Sequence, residues 1–222
     1  CNIKELETIA KKHKLKLIFD SAHALGSKYR GKMIGAFGDI ECFSLSGTKV
    51  ITSAEGGIVA SNDMELIDKM NLGRNYGSSG DYNCKHLGLN GKMSEFHAAI
   101  AIESIALLSS SVLARNKIAN LYKKLLSTIP GVIFQDVRDD NISTYKDYGI
   151  IIDSEKFGMN RDELYLELAK DRIYTKKYFF PVLHKMDIYK KMYPKLINLN
   201  LTNTDYVANN IICLPIYSHM NE

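Results

Sequence analysis

The hydrophobic positions at the start of the chain repeat with the spacing of an amphipathic helix, and lysines and glutamates fill the positions between them. One face of this helix carries Ile3, Leu6, Ile9 and Ala10. The pattern predicts a helix over residues 3–13. The next apolar run, LKLIFD at residues 15–20, is short and ends in a carboxylate, which is typical of a buried strand.

Strands and helices alternate along the rest of the chain. Further strands are predicted at DIECFSLS, GGIVASN, GVIFQDV and YKDYGIIID. The helix predicted at NDMELIDKMNLG has Asn62 as its cap and Gly73 as its stop, and the helix at NRDELYLELAKD has Asn160 as its cap. Other helical segments are predicted over residues 94–129, where one or two helices fit, and over residues 188–192 and 205–212. This alternation makes the chain an α/β protein.

A polar segment and a change in composition divide the chain into two parts. Residues 73–92 are rich in Gly, Ser, Asn and Tyr and form a predicted loop, and loops of this length tend to be functional or mobile. The long helical region follows this loop. Within it, near residues 108–115, we place the boundary between a first domain over residues 1–110 and a second domain over residues 111–222.

The composition argues against several classes of protein. The chain has 222 residues, of which 45% are hydrophobic, enough to bury one large core or two smaller ones. The net charge is +4, and the basic residues are scattered among acidic ones. Neither a basic stripe that would bind nucleic acid nor an acidic tail is present. No apolar run is long enough to span a membrane, and no signal peptide is evident.

The cysteines and the first residue add two expectations. Cys1, Cys42, Cys84 and Cys213 lie far apart and form no C-x-x-C pair. This spacing argues against a zinc site and gives no disulfide framework, so we predict no metal and expect a reducing cytoplasm. The chain opens at cysteine rather than methionine, directly inside a helical pattern, so we expect a fragment of a longer protein.

Candidate reactive side chains lie where two predicted strands end. Ligands bind at the carboxyl ends of strands in α/β sheets, and Asp20 and Ser44 lie at or near such ends. Lys49 follows in SGTKVITSAEGG, ahead of a glycine pair. An acid, a hydroxyl-rich strand end and one lysine are what a pyridoxal phosphate site needs, because the lysine forms the internal Schiff base and the acid pairs with the pyridinium nitrogen. The hydroxyl groups of Ser44 and Ser46 suit phosphate oxygens.

Each of these residues also has a purely structural interpretation. Asp20 can cap the turn after its strand, and local sequence alone favours that role. His23, three residues later in DSAHALG, is by itself more often an interior histidine with satisfied hydrogen bonds than a catalyst. A lysine on a loop, such as Lys49, is usually only a solubilising charge. The combination of the acid, the hydroxyl-rich strand end and the lysine favours a pyridoxal phosphate site instead.

The stretch from LKLIFDSAHALG to SAEGGIVASND closely resembles the core of the DegT/DnrJ/StrS sugar aminotransferases. The resemblance extends through GLNGKMSEFHAAIA and continues more weakly to TKKYFFPVLHKMDIY and NNIICLPIY, so it covers essentially the whole chain. It implies the aspartate-aminotransferase-like fold, PLP fold type I. Residues 1–110 would form the C-terminal part of the cofactor-binding large domain, and residues 111–222 a smaller α+β domain.

The resemblance also implies roles for individual residues. Lys49 corresponds to the Schiff-base lysine, and Asp20 to the partner of the cofactor ring nitrogen. His23 occupies the Gln/His position that faces the ring and its 3′-oxygen, and Ser44 is a phosphate ligand. Asn90 matches the asparagine that reaches the cofactor phosphate of the other subunit. The resemblance therefore implies a homodimer with shared active sites.

Several further positions near the expected site lie in the weaker part of the resemblance or differ from the family pattern. Tyr178 and His184 fall near the segment that lines the sugar pocket. Tyr76 stands where many members have histidine, Gly91 replaces the usual aromatic residue and Lys92 replaces arginine. Family members also have an upstream segment that supplies a phosphate loop and a residue stacking on the cofactor ring, and this chain starts after it. The three differing positions therefore bear on the substrate preference and not on the cofactor chemistry, and the pocket of this chain is expected to be incomplete.

The resemblance implies a reaction. L-glutamate would donate an amino group through pyridoxal 5′-phosphate to a keto group of a nucleotide-linked deoxysugar, in surface polysaccharide or amino-sugar biosynthesis. Lysine at position 49 distinguishes the chain from related dehydratases, which have histidine there. Two other interpretations stay open. One is a cofactor-free Schiff-base lyase such as an aldolase, whose lysine attacks a carbonyl directly. The other is a non-catalytic or regulatory protein that keeps the fold.

Overall fold

The computed structural model describes residues 1–195 and 199–221, which form two compact units. The first comprises Cys1–Ala114 and Val137–Lys146, and the second comprises Arg115–Asp136 and Asp147–Glu222. The segment Val137–Lys146 belongs to the first unit because Lys28 and Ile142 exchange backbone hydrogen bonds of 2.9 Å. Because this segment returns to the first unit, no single point in the chain divides the two units. The assignment of 1–110 and 111–222 to two functional domains stays a prediction.

The first unit is built on a three-stranded sheet. Its helices are α1 (Ile3–His13), α2 (Met64–Arg74), α3 (Glu95–Ala106) and the start of α4 (Leu108–Leu126). Its strands are β1 (Ile18–Asp20), β2 (Lys28–Tyr29), β3 (Lys32–Met33), β4 (Ile40–Ser44) and β5 (Gly57–Ala60). The order in the sheet is β1-β4-β5, and β2 and β3 form a separate hairpin. Because β1 runs parallel to β4, with Asp20 opposite Cys42, the carboxyl ends of both strands lie at one edge.

The core of the first unit holds the loop after β4 in place. Leu45, Ile51 and Ala101 form a buried cluster, and Ile51 is only 2% exposed. The cluster is surrounded by partly buried Leu25, Val50, Ile58, Met93 and Leu108. Since Val50 and Ile51 directly follow Lys49 in the chain, burial of their aliphatic side chains anchors the segment that carries this lysine.

The second unit is a three-stranded antiparallel sheet with helices. Its strands, in the order β6-β7-β8, are β6 (Val132–Phe134), β7 (Tyr148–Ile152) and β8 (Ile211–Leu214). Its helices are α5 (Ser154–Phe157), α6 (Arg161–Lys170), α7 (Asp187–Met192), α8 (Thr202–Asn210) and a 3-10 turn at Leu183–Lys185, together with the rest of α4. Alternate residues of β7, namely Tyr148, Ile150 and Ile152, are buried. Tyr122 of α4 stacks on Tyr148 with ring centroids 5.1 Å apart.

Several local signals are confirmed. Helix α1 has the predicted bounds, although Leu6 and Ile9 of its apolar face stay exposed. Asn160 caps α6 in a full capping box with Glu163. The predicted helical region 94–129 is two helices that break at Leu107 and are bent by 55° relative to each other. No single described helix is long and apolar enough to cross a membrane, although this bent pair meets the length and composition criteria together.

Other expectations about local structure are wrong. Helix α2 is capped by Asp63 rather than Asn62, because the Asp63 carboxylate accepts hydrogen bonds from the backbone N–H groups of Glu65 and Leu66. The helix continues through Gly73 to Arg74, and the left-handed glycine that follows it is Gly77, at φ +77°.

The end of the chain and the short hairpin also differ from the predictions. Residues 211–212 were expected in a helix, yet they begin β8, where they pair with β7. The guanidinium group of Arg161, which is 2% exposed, donates hydrogen bonds to the backbone oxygens of Ala208 and Ile211 at this junction. The β2–β3 hairpin has only two residues in each strand, and the hydrophobic pattern did not predict it.

Candidate active site

Lys49 lies on a tight loop between β4 and β5. The base of this loop is closed by a 2.8 Å hydrogen bond from the Ser53 N–H to the Leu45 carbonyl oxygen. The Lys49 N–H donates to the carbonyl oxygen of Ser46 at 3.0 Å, which forms a turn directly before the lysine. Lys49 is half-buried rather than fully exposed. The amine is therefore presented from an anchored backbone, unlike a solubilising lysine on a free loop.

A small pocket brings Lys49 together with two other predicted site residues, His23 and Ser44. Its lining consists of Ala22, His23, Leu25, Ser44, Lys49, Val50, Ile51 and Lys146. The cavity volume is about 10 Å³, room for about one water molecule. These side chains thus form one wall against which the reactive end of a ligand can lie. They do not form a chamber that encloses it.

The hydroxyl groups at the end of β4 give this wall hydrogen-bonding capacity. The Ser44 hydroxyl oxygen accepts a 3.3 Å hydrogen bond from the Ser46 N–H, so its own O–H remains available to donate. The hydroxyl groups of Ser46 and Thr48 lie 3.5 Å apart on the same turn. A hydroxyl cluster beside an amine suits an anionic group such as a phosphate.

His23 is exposed, so its interpretation as an interior histidine is wrong. Its backbone is held by Thr144, whose hydroxyl donates to the His23 carbonyl oxygen at 3.3 Å. Thr144 is 1% exposed, and its N–H donates to the Ser27 hydroxyl oxygen at 3.2 Å. The segment that returns from the second half of the chain therefore fixes the position of His23 in the pocket.

Asp20 ends β1 at the same edge of the sheet but does not line the pocket. Its exposed carboxylate accepts a 3.1 Å hydrogen bond from the Ala22 N–H through one oxygen. This contact is the turn-capping role that the local sequence favours. The second carboxylate oxygen makes no hydrogen bond to a described residue. Asp20 can therefore cap its own turn and still hold a cationic group, and its role as partner of a ring nitrogen stays a prediction.

Lys146 is a pocket residue that the sequence did not predict. It belongs to the returning segment Val137–Lys146 and lines the pocket with Lys49, although the two are far apart in the chain. No local signal marks it, since YKDYGIIID indicates only a strand. Two amines in one pocket favour an anionic ligand.

Asn90 lies outside the pocket, on the segment that follows α2. It is exposed, and its side-chain oxygen accepts a hydrogen bond from the Lys92 ammonium group. The Lys92 ammonium group also lies 3.8 Å from the centroid of the Tyr76 ring. Gly91 has space for a side chain, because a Cβ atom there would meet its nearest neighbours in Arg74 at 3.5–3.6 Å. The structure thus clusters Asn90 with residues that differ from the family pattern.

Tyr178 and His184 both lie in the second unit. Tyr178 stacks on Phe179 with ring centroids 4.6 Å apart. His184 is buried, and its Nε2 atom lies 3.2 Å from Oδ1 of Asp205. The Lys185 ammonium group lies 2.9 Å from the same oxygen, and this ion pair holds the pKa of Asp205 below the ordinary value, against the opposing effect of burial. The roles of Tyr178 and His184 in substrate binding stay predictions.

The residues at this edge fit pyridoxal phosphate by their chemistry. Lys49 offers an amine, Ser44 a hydroxyl group and Asp20 a carboxylate, which are the groups that this cofactor requires. Among residues 1–195 and 199–221, no group of three or more His, Cys, Asp or Glu side chains is arranged to hold a metal ion.

Comparison with known proteins decides the family. The sequence matches the DegT/DnrJ/EryC1/StrS aminotransferase family over residues 1–222. The chain belongs to this family. The predicted resemblance is therefore confirmed, and members of the family are pyridoxal-phosphate-dependent aminotransferases.

Named relatives and a solved structure agree with this assignment. The chain is 32% identical over 223 residues to dTDP-4-amino-4,6-dideoxy-D-glucose transaminase of Escherichia coli, covering 100% of the chain and 60% of the relative. It is 32% identical over 197 residues to GDP-perosamine synthase of Escherichia coli O157:H7, covering 88% of the chain and 52% of the relative. It also resembles the crystal structure of S. venezuelae DesV in complex with a ketimine intermediate. That match has a TM-score of 0.90 and 27% identity, and it covers 100% of this chain and 58% of DesV.

These matches confirm the fold class. The chain has a partial aspartate-aminotransferase-like α/β fold. It spans 60% and 52% of the lengths of the two curated relatives.

Proposed function

We propose that the chain supplies the catalytic lysine of a pyridoxal-phosphate-dependent sugar aminotransferase. The enzyme moves an amino group from L-glutamate to a keto group of a nucleotide-linked deoxysugar, in surface polysaccharide or amino-sugar biosynthesis. The observation that carries this proposal is the pocket shared by Lys49, Ser44 and His23 at the carboxyl edge of the β1–β4 pair. Two relatives that are named for dTDP-linked and GDP-perosamine sugar chemistry support the substrate class.

Each residue of the site has one task in this proposal. Pyridoxal phosphate, when bound, supplies an electron sink for the charge left at the donor Cα. Lys49 carries the cofactor and then moves a proton as general base and general acid. Asp20 keeps a proton on the ring nitrogen, because an ionised carboxylate favours the cationic form of a neighbouring base. Ser44 would hold the cofactor phosphate of its own subunit, Asn90 would hold that of the other subunit, and His23 would lie beside the ring.

The anchored loop favours Lys49 over Lys146 as the reactive amine. A proton-transfer group must return to the same place in each cycle, and burial of the neighbouring Ile51 restricts the Lys49 backbone. Lys146 adds positive charge to the same pocket. We assign it no covalent role.

We further propose a homodimer with shared active sites that works in the cytoplasm, without a nucleic-acid or membrane partner. Asn90 is exposed and outside the Lys49 pocket, as a residue directed at another subunit must be. Helix α3 exposes Phe96 at 84% and Ile102 at 68%, and apolar surface of this kind suits a subunit interface. The described cysteines are all free, which supports a reducing compartment. His184 and Tyr178 are proposed to contact the sugar.

The proposal should be tested on the whole native protein. The unmodified protein should show a visible absorbance band with pyridoxal phosphate, and borohydride should abolish the band and leave the cofactor attached to the peptide containing Lys49. Lys49→Ala should lose both the adduct and turnover. Lys146→Ala is the matched control, because it removes an amine from the same pocket yet should keep the adduct. A fully active Lys49→Ala enzyme contradicts the assignment.

The same measurement separates the alternatives. A cofactor-free lyase would be trapped by borohydride only together with its carbonyl substrate and would show no visible band. A regulatory protein that keeps the fold would show neither a band nor a trapped adduct.

A further inference from the structure

Two segments of the first unit are joined backbone to backbone beside Asn90. The Tyr76 N–H donates to the Leu89 carbonyl oxygen at 3.0 Å, and the Gly91 N–H donates to the Arg74 carbonyl oxygen at 2.8 Å. The pairing places Asn90 opposite Asn75 as in an antiparallel ladder. Residue 76 and residues 90–92 are consequently held next to each other by main-chain hydrogen bonds, independently of their side chains.

The Lys92 ammonium group makes two contacts across this junction. It lies 3.8 Å from the centroid of the Tyr76 ring, within the range of a cation–π interaction. It also donates a hydrogen bond to Oδ1 of Asn90. Because an ammonium group has only donors, it requires the oxygen end of the amide to face it. The orientation of the Asn90 amide is thereby fixed by chemistry.

A fixed amide presents only one kind of hydrogen-bonding group to a ligand. With Oδ1 engaged by Lys92, the two N–H bonds of the Asn90 amide nitrogen remain, and they donate to no group within residues 1–195 and 199–221. Asn90 is exposed, so these donors are accessible. Donors beside an ammonium group select a ligand atom that is an acceptor and carries negative charge.

We propose that Lys92 and Tyr76 are positioning residues, which hold the Asn90 amide so that its nitrogen donates to a phosphoryl oxygen. This inference rests on the proposed function, in which Asn90 is a phosphate ligand, and adds how the ligand is held. Without Lys92 the amide can rotate and offer its oxygen, which repels a phosphate. Without the Tyr76 ring the ammonium group loses the surface that keeps it beside the amide. The phosphoryl group belongs either to the cofactor or to the diphosphate of a nucleotide-linked sugar.

The test introduces substitutions into the whole native protein and compares each one with a matched control. Lys92→Met removes the donor but keeps a long side chain, and Lys92→Arg is its control because arginine can donate to the amide and stack on the ring. Tyr76→Leu removes the ring, and Tyr76→Phe is its control. We expect Lys92→Met to weaken binding of pyridoxal phosphate roughly tenfold, as loss of one charge-assisted hydrogen bond would do. The affinity for pyridoxal, which lacks the phosphate, should not change.

A second variant and a second ligand show whether Asn90 contacts the phosphate of the cofactor or the diphosphate of the sugar nucleotide. Asn90→Asp keeps an oxygen for Lys92 but loses the N–H donors, so it should weaken phosphate binding at least as much as Lys92→Met. Thymidine diphosphate, titrated by calorimetry, reports on the sugar-nucleotide source, whereas pyridoxal phosphate reports on the cofactor source. A loss confined to one ligand identifies the source and supports the inference.

Two results overturn the inference. One is that Lys92→Met or Asn90→Asp binds both phosphate ligands as tightly as the unmodified protein. The other is that pyridoxal affinity falls as much as that of pyridoxal phosphate, which would indicate a general disturbance of the site. Failure of the proposed function looks different, because the unmodified protein would then form no borohydride-reducible adduct. The diphosphate titration still decides the inference in that case.

Discussion

The buried carboxylate of Glu41 accepts a 2.9 Å hydrogen bond from the hydroxyl group of Ser21, the residue directly after Asp20. Its other oxygen accepts hydrogen bonds of 2.8 Å from the backbone N–H groups of Gly35 and Phe37. Glu41 is 1% exposed and lies on β4. One side chain thus ties the carboxyl end of β1 to the loop that leads into β4, and so supports the position of Asp20.

Two substitutions of Glu41 should separate the effect of its side-chain volume on stability from the effect of its hydrogen bonds. Glu41→Leu keeps the volume but leaves three donors without their acceptor, the buried Ser21 hydroxyl and two partly buried N–H groups, so the free energy of unfolding should fall by about 3 kcal/mol. Glu41→Gln is the matched control, because its amide oxygen can still accept from the two N–H groups and its nitrogen can donate to Ser21. It should cost about 1 kcal/mol. Urea unfolding followed by circular dichroism measures both, and equal losses would contradict this account.

Asp20→Asn tests whether the carboxylate does more than cap its turn. The amide oxygen can still accept from the Ala22 N–H, so the fold and its stability should be preserved. It cannot neutralise a protonated ring nitrogen, so turnover should fall by about two orders of magnitude or more, the typical contribution of a tuned acid–base group. Steady-state kinetics and a thermal melt give the two readouts. A wild-type rate would leave only the capping role.

The Asp205 carboxylate should make the stability of the second unit depend on pH. Its ion pair with Lys185 keeps its pKa below the ordinary value, so the ionised form stabilises the fold. This contribution is present above the ordinary carboxyl pKa of about 3.9 and is lost as the pH falls through the lowered pKa. Asp205→Asn should therefore lower the urea midpoint at neutral pH, and the difference should shrink in acid.

Asp187→Asn is the matched control for this experiment. Asp187 lies in the same unit, but its side chain is fully exposed and its nearest ammonium group, that of Lys190, is 3.6 Å away. Its replacement should leave the midpoint unchanged at both pH values. A difference between Asp205→Asn and the unmodified protein that persists unchanged in acid would argue against an ionic cause.

Shared active sites predict complementation between two impaired variants. Lys49→Ala removes the catalytic amine, and Asn90→Ala removes the phosphate donor that is proposed to come from the other subunit. In a mixed dimer both defects can fall in one site, which leaves the second site complete. Refolding the two together should recover activity, up to about a quarter of the wild-type level if subunits mix at random and the intact site works normally. Each variant refolded alone is the control, and a fully active wild-type monomer would disprove the shared site.

Local sequence signals predicted the elements whose stabilising contacts are local. Helix α1 was predicted because its apolar spacing is helical, and α6 because Asn160 and Glu163 form a capping box within one turn. The cap of α2 was misplaced by one residue, since Asn62 and Asp63 are equally good caps and only the hydrogen bonds show that Asp63 is used. Strand β8 was partly misassigned because a short apolar run fits either a helix or a strand. Its pairing with β7 makes it a strand.

The amino-acid sequence was enough to identify the family and the order of the reactive groups, because Asp20, His23, Ser44 and Lys49 lie within one short stretch whose spacing two strands and their loops fix. The folded chain was needed to show that Lys146 enters the same pocket, that Glu41 supports the end of β1, and that the Lys92 ammonium group lies over the Tyr76 ring. The cause is the same in each case. Each contact joins segments separated by a loop or an entire helix, so its geometry depends on how the chain returns, which no local pattern of residues encodes.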